Sequence, residues 1–170
     1  MLFRSTNASG KTISVSDGLV YTGDNFALTA NSSSPLKIAS GASLIVSSSG
    51  ASINAVTVNG TLYVNNGYSA TITTATVAGS VVVAESTATK AAGSLLITGE
   101  LYLGMKKGDL TGSSAKLVTA DAATLSGNFS AGANALIYIS ANAEVDSAAQ
   151  AVLDNMEYNV TLNVHFLDWF

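Results

Sequence analysis

The amino-acid sequence predicts an all-β protein whose chain coils as a parallel β-solenoid of about six rungs. Three observations support this fold class: a repeat of about 19 residues, 48% apolar residues with only 11% charged ones, and Gly or Asn at the turns between short apolar segments. The handedness of parallel crossovers favours right-handed coiling. A short C-terminal helix and a terminal strand complete the predicted architecture.

The repeat is clearest in the middle of the chain. Residues 41–59, 60–78 and 79–98 each begin with Gly, and each contains two short apolar segments separated by small polar residues. The two apolar residues of each segment are i and i+2, so both point to one face of a strand, and we expect equivalent pairs to stack along the axis. The pairs form two series: Phe26/Leu28, Leu44/Val46, Leu62/Val64, Val81/Val83 and Leu101/Leu103, and Leu36/Ile38, Val56/Val58, Ala75/Val77, Leu95/Ile97, Leu117/Thr119 and Ile137/Ile139.

The composition fits this arrangement. Aliphatic residues fill a narrow interior, while outer sheet surfaces favour Thr and similar residues over Glu and Lys. Asn59-Gly60 and Asn66-Gly67 are the sharpest turn signals. The single proline, Pro35, precedes the Leu36 strand, where it removes no hydrogen bond from a ladder.

An antiparallel β-sandwich or jelly roll is the alternative, because it also contains short strands at intervals of about 8–12 residues. A sandwich has no reason to keep one step through five strand pairs, so the solenoid is preferred. The step lengthens after Leu95, and residues 104–114, which include Lys106, Lys107 and Asp109, are interpreted as an inserted loop.

The ends of the chain differ from its middle. Residues 1–17 are predicted to be an N-terminal arm or cap with at most a short strand at 13–15, and residues 18–146 form the solenoid domain. Residues 147–170 are predicted to hold a short helix, capped by Asp146 or Ser147, and then an aromatic strand. A helix there would cover the open strand edges of the last rung.

The terminal strand alternates apolar and polar residues. One interpretation is a last strand that folds onto its own core, and the other is an element that docks on another subunit. The candidate docking residues are Tyr158, Val160, Leu162, Val164, Phe166, Trp169 and Phe170.

Residues for catalysis or metal binding are scarce, so we expect no enzyme activity, no metal and no cofactor. The chain has no Cys, and its one His, His165, lies on the polar face of the terminal strand. Glu144 and Asp146 are interpreted as helix capping and solvation, with calcium binding as a lesser alternative. The threonines at 71, 73, 74 and 76 are interpreted as ordinary strand surface, with an exposed hydroxyl ladder as the lesser alternative. A formal charge of −4 argues against nucleic-acid binding, and short apolar runs argue against membrane insertion.

The central repeat resembles the passenger-domain repeats of AIDA-type autotransporter adhesins of bacteria. Residues 60–67, Gly-Thr-Leu-Tyr-Val-Asn-Asn-Gly, followed by Val77, match the pattern of those repeats, and the likeness is best over residues 41–78. The resemblance implies a parallel β-helix with an adhesive or structural role at a surface. It carries over no functional residues.

The expected function is therefore a non-enzymatic structural or attachment module on an extracellular assembly, either a phage virion fibre or capsid decoration, or a bacterial surface adhesin. Its partners would be further copies of itself, other structural subunits or surface glycans, and it would reach its place without a visible signal peptide. The alternative is a β-helix domain that binds or cleaves polysaccharide. Cleavage needs converging carboxylates, yet Glu85 is the only carboxylate between Gly41 and Thr98.

Overall fold

Strands dominate the computed structural model, which describes residues 2–3, 13–23, 27–28, 35–107, 122–140 and 142–156. The described residues form fifteen strands and one helix, so the predicted all-β class is confirmed. The strands are β1 Leu2–Phe3, β2 Ser14–Val15, β3 Leu19–Thr22, β4 Ala27–Leu28, β5 Leu36–Ile38, β6 Ser43–Val46, β7 Ala51–Val58, β8 Thr61–Val64, β9 Ser69–Val77, β10 Ser80–Val83, β11 Ser94–Leu103, β12 Thr124–Ser126, β13 Phe129–Ala131, β14 Leu136–Ile139 and β15 Glu144–Val145, and the helix is α1 Ser147–Asn155.

The strands form two sheets, and the chain passes repeatedly from one to the other. Sheet A contains seven strands in the order β1-β3-β6-β8-β10-β12-β15. Sheet B contains eight: β13-β11-β9-β7-β5-β2 in order, with β14 paired to β11 and β4 paired to β7. Each pairing among the described strands is parallel, which the antiparallel sandwich alternative does not allow.

The long strands of sheet B each take part in two ladders. The first half of β7 pairs with β4, whereas its second half pairs with β5. The first half of β11 likewise pairs with β13 and its second half with β14. On its other side β11 pairs with β9, and the register of that pairing shifts between Ile97 and Glu100. The interior is therefore lined by three stacks of side chains, one from sheet A and two from sheet B.

The sheet A stack follows the prediction in its central members. Leu44 pairs with Leu62, and Leu62 pairs with Val81. The stack continues to Leu125 and is preceded by Val20, which the sequence pattern did not identify. Leu28 is paired with Ile53 in sheet B instead, so its assignment to this series is wrong.

The second predicted series is wrong at Leu95/Ile97, because Leu101/Leu103 takes that place and Leu95/Ile97 belongs to the other stack of sheet B. The Leu117/Thr119 pair of this series lies outside the described residues. Ala75 is paired with Leu101, whereas Leu95 is paired with Ala70. Residues 84–93 lie between β10 and β11 without forming a strand, and this longer connection delays the following strand. The interval from Ala75 to Leu95 therefore matches the repeat only by coincidence, because pairing and not residue count sets the register.

The three stacks make one continuous aliphatic core. Val58, Leu62, Val64 and Val77 are fully buried, and the other central stack members are nearly so. At about 25 cal/mol per Å² of apolar surface, each buried Leu, Ile or Val contributes roughly 1.5–3 kcal/mol to folding. Leu62 exemplifies this packing: its strand neighbours Tyr63 and Thr61 are half-buried on the opposite face.

Successive passes of the chain approach closely at the corner before sheet A. The amide nitrogens of Asn59 and Gly60 both donate to the carbonyl oxygen of Ile38, and Gly79 donates to Val58. A Cβ atom on Gly60 or Gly79 would overlap carbonyl oxygens of the preceding pass. Gly is required at these corners because backbone occupies the space that a side chain would need.

Helix α1 follows β15 at the C-terminal end of the sheets. Asp146 is its N-cap, since its carboxylate accepts a hydrogen bond from the amide of Ala149. Ala149 is fully buried, and Val152, Leu153 and Met156 pack partly buried against the core. A short helix was predicted here with Asp146 or Ser147 as its cap, and the structure shows the helix with Asp146 in that position. The predicted terminal strand lies outside the described residues. No described helix has the length and apolar character needed to cross a membrane.

Candidate functional site on the outer face of sheet B

One row of outward side chains crosses five strands of sheet B. The pairing aligns Lys37 with Thr57, Thr57 with Thr76, Thr76 with Tyr102, and Tyr102 with Tyr138. Each residue lies between two core residues of its own strand, so alternation places it on the opposite, outer face. Neighbouring strands are about 4.8 Å apart, so this row extends over roughly 19 Å.

A groove of about 460 Å³ runs beside this row. The backbone at Gly104 has φ +71°, a left-handed conformation that suits glycine and turns the chain as β11 ends. Met105 and Lys106 then line the groove opposite Thr57 and Thr76. The remaining lining residues are Ala39, Ser40, Asn59 and Ala78.

An ion pair joins the segment that follows β11 to the strand itself. The Nζ of Lys107 lies 2.8 Å from Oε2 and 3.1 Å from Oε1 of Glu100. The Lys107 side chain is 67% exposed and that of Glu100 is 27% exposed, so solvent screens the pair. Such surface pairs contribute about 0–1 kcal/mol. The pair therefore connects the segment after β11 to that strand but adds little to its stability.

Two tyrosines continue the row beyond the groove. The rings of Tyr102 and Tyr138 stack with centroids 4.9 Å apart and planes 8° from parallel. Tyr102 is only 2% exposed although it occupies an outward position. Burial, and then the neighbouring Glu100, raise the pKa of the Tyr102 hydroxyl above its ordinary value, because both disfavour the phenolate.

The charge on this face differs from that of the chain as a whole. The chain has a formal charge of −4. Lys37 lies exposed in the row, Lys106 lines the groove, and Lys107 is paired with Glu100. This face therefore holds three of the seven basic residues of the chain, and Lys107 among them is paired with Glu100.

The outer face of sheet A is different in character. Tyr21, Ile45, Tyr63 and Val82 are aligned by the pairing of β3, β6, β8 and β10 and form an apolar stripe. Tyr21 is 40% exposed, and the other three are half-buried. A parallel row of hydroxyls lies beside the stripe and consists of Ser43, Thr61, Ser80 and Thr124, in which Thr124 donates to Ser80 over 2.9 Å.

The structure places the other predicted site residues apart. Thr71 is paired with Ser52 and Leu96, and Thr76 with Thr57 and Tyr102, so the threonines of β9 do not form one hydroxyl ladder. Asp146 uses both carboxylate oxygens, one on the amide of Ala149 and one on the amide of Gly127, each at 2.8 Å. This supports the capping interpretation, while Glu144 and Glu85 are exposed.

The predicted docking residues, and His165, lie outside the described part of the chain: Tyr158, Val160, Leu162, Val164, Phe166, Trp169 and Phe170. Among the residues that the structure describes, no group of three or more His, Cys, Asp or Glu residues could hold a metal ion. No family model, curated protein or solved structure matches the chain.

Sequence reasoning missed the groove and the tyrosine pair. The misassigned register put Leu101 in the sheet A series, so Tyr102 and Thr76 were not recognised as neighbours. The signal that could have found them is the Lys or Tyr residue between the two apolar residues of three sheet B pairs, namely Lys37, Tyr102 and Tyr138.

Proposed function

We propose that this chain is a non-enzymatic structural and attachment module, a β-solenoid of about six rungs that is displayed on an extracellular assembly. The observation that carries the proposal is the regular parallel stacking of β5, β7, β9, β11 and β14, with aliphatic side chains inside and small polar or aromatic ones outside. Stacked circuits of this kind make stiff, narrow scaffolds, because each circuit packs only on its neighbours. A virion fibre or capsid decoration, or a surface adhesin, uses such a scaffold.

The module associates through its C-terminal end. Helix α1 and β13 border a groove of about 650 Å³ that contains Phe129, Val152 and Met156. Met156 is the last described residue, and the aromatic segment from Tyr158 to Phe170 begins two residues later in the sequence. We infer that this segment of one copy docks on the corresponding end of another.

The apolar stripe of sheet A offers a second contact. Four neighbouring strands of a parallel sheet contribute this stripe, and a second copy would oppose the same four residues, Tyr21, Ile45, Tyr63 and Val82. Self-complementary stripes of this kind suit twofold interfaces. Both contacts support self-association of the chain.

The test is the mass of the full chain in solution, measured by light scattering after size exclusion. We expect a stable assembly of defined size that falls to monomer when residues 158–170 are removed. A variant with Tyr21→Ser and Tyr63→Ser identifies any contribution of the stripe, and Tyr68→Ser, outside the stripe, is its control. A full-length chain that remains monomeric, or that cleaves a polysaccharide, would contradict the proposal.

A further inference from the structure

We propose that the terminal segment of one copy, residues 158–170, adds as a parallel strand to the edge of β14 in a second copy. This inference rests on the proposed self-association, and it names the strand that receives the segment and the direction of the pairing. Among the described strands, β14 pairs only with β11, so its other edge has no described partner. A strand edge of this kind can accept a further strand through main-chain hydrogen bonds.

The end of the sheet at β14 lacks the cover that the preceding pass of the chain has. Leu103 and Tyr102 of β11, which pair with β14, are 0% and 2% exposed. Their partners one pass later, Ile139 and Tyr138, are only half-buried. The inner stack and the outer row of sheet B therefore both end at β14 with apolar surface that a further strand would bury.

The order of elements within a pass identifies this edge as the place of the next strand. In the preceding pass the chain runs from β12 of sheet A to β13 and then to β14. After β15 of sheet A, helix α1 takes the place beyond β13, because it packs on that strand. The helix ends at Met156 with φ −69° and ψ 117°, an extended conformation that suits a following strand. The next place in the order lies beside β14.

The sequence of the segment fits such an edge. Apolar and polar residues alternate from Tyr158 to Phe166, and this period of two gives a strand one apolar face. That face would continue the inner stack that ends at Ile137 and Ile139. Residues 158–167 include no Pro, Lys, Arg, Asp or Glu, the residues that commonly oppose the addition of a strand to an edge.

The length of the segment favours a second copy over its own copy. The four residues of β14 offer roughly 13 Å of edge, whereas thirteen extended residues reach roughly 43 Å. On its own copy the segment would pair along four residues, and most of it, including Trp169 and Phe170, would project beyond the strand. A segment that crosses to a second copy uses this length to span the two ends, and a twofold axis then gives each β14 one added strand.

The experiment is disulfide crosslinking, which is specific because the natural chain has no Cys. Full-length Tyr138→Cys is refolded from urea together with a full-length chain that carries one cysteine on the polar face of the segment, and the mixture is oxidised. The segment variants are Asn159→Cys, Thr161→Cys, Asn163→Cys and His165→Cys. We expect one of them to give at least tenfold more covalent mixed dimer than it gives with the control Ser52→Cys, an exposed position on β7 inside the sheet.

A second series tests the direction of pairing. Leu136 lies two residues before Tyr138 and on the same face of β14. With Leu136→Cys in place of Tyr138→Cys, the preferred partner should therefore move two residues toward the N-terminus of the segment. Antiparallel pairing would move it two residues toward the C-terminus.

Circular dichroism establishes that each variant remains folded, and the Leu136→Cys series serves if Tyr138→Cys does not fold. The proposal is overturned if no pair crosslinks above the control, if the preferred partner moves toward the C-terminus, or if a chain with both cysteines crosslinks within a monomer. The solution mass of the natural protein is measured separately. An assembly without these crosslinks refutes the strand addition and leaves the attachment function intact, whereas a monomer contradicts both.

Discussion

The close approach of successive passes of the chain predicts a large difference between two glycine substitutions. In Gly79→Ala the new Cβ would overlap the carbonyl oxygen of Gly60 and lie 2.6 Å from that of Asn59. Because these are backbone atoms, the strand must shift. Gly132→Ala is the matched control, since its Cβ would lie 3.4 Å from the nearest atom, the Cα of Thr98, at ordinary contact distance.

Overpacking of this kind costs about 1–3 kcal/mol, and an overlap with backbone belongs at the upper end of that range. Replacing Gly also restricts the unfolded chain, which stabilises both variants by about 0.4–1 kcal/mol. We therefore expect Gly79→Ala to lose about 2–3 kcal/mol and roughly 5–10 °C in Tm, while Gly132→Ala is unchanged or slightly more stable. Urea denaturation followed by circular dichroism measures both. Equal stabilities, within about 0.5 kcal/mol, would refute the close packing at this corner.

Three further predictions concern individual side chains. Asp146→Asn removes one of the two carboxylate oxygens that accept hydrogen bonds from backbone amides, and we expect it to lower the free energy of unfolding in urea by about 1–2 kcal/mol. Glu144→Gln should leave that free energy unchanged, and equal losses in the two variants would contradict the capping role of Asp146. Thr22→Val leaves the buried hydroxyl of Ser48 without its 2.8 Å partner and should cost about 1–3 kcal/mol, and an unchanged midpoint would show that the pair is unimportant. Because the pKa of Tyr102 is raised in the folded protein, this tyrosine loses its proton at a lower pH in the unfolded chain, and the free energy of unfolding should fall above about pH 10 by about 1.4 kcal/mol per pH unit. Tyr102→Phe should reduce this loss, and identical alkaline stability profiles of the variant and the natural protein would argue against the shift.

The sequence was sufficient for the all-β class and the parallel stacking of its strands because the inner side chains repeat. Equivalent inward positions on neighbouring strands of sheet A are occupied by Leu44, Leu62 and Val81, which pair in register. Their regular spacing in the sequence therefore reflects their stacking in the structure. The helix was predictable for a local reason, since Asp146 precedes residues with apolar positions on one helical face.

The register beyond β10 was not predictable from residue counts. The connection over residues 84–93 has no strand, and its length is not constrained by the ladders that it joins. Because of its length, residue counting predicts Leu95 at the place beside Ala75 that Leu101 occupies in the structure, and this error concealed the outward row through Tyr102. The groove depends on that row and on the turn at Gly104, so it required the three-dimensional structure.

The central claim is that successive passes of the chain stack in parallel and in register, and a distance within one row tests it most directly. Tyr21 and Ser126 lie in the same row of sheet A, joined through Ile45, Tyr63 and Val82. Four strand spacings of about 4.8 Å place their backbones roughly 19 Å apart. Because the chain has no Cys, spin labels can be attached at these two positions after Tyr21→Cys and Ser126→Cys substitution, and their separation measured by electron double resonance. The account predicts one narrow distribution consistent with 19 Å between backbones, allowing for the label arms; a broad distribution, or one centred beyond about twice that distance, would contradict it.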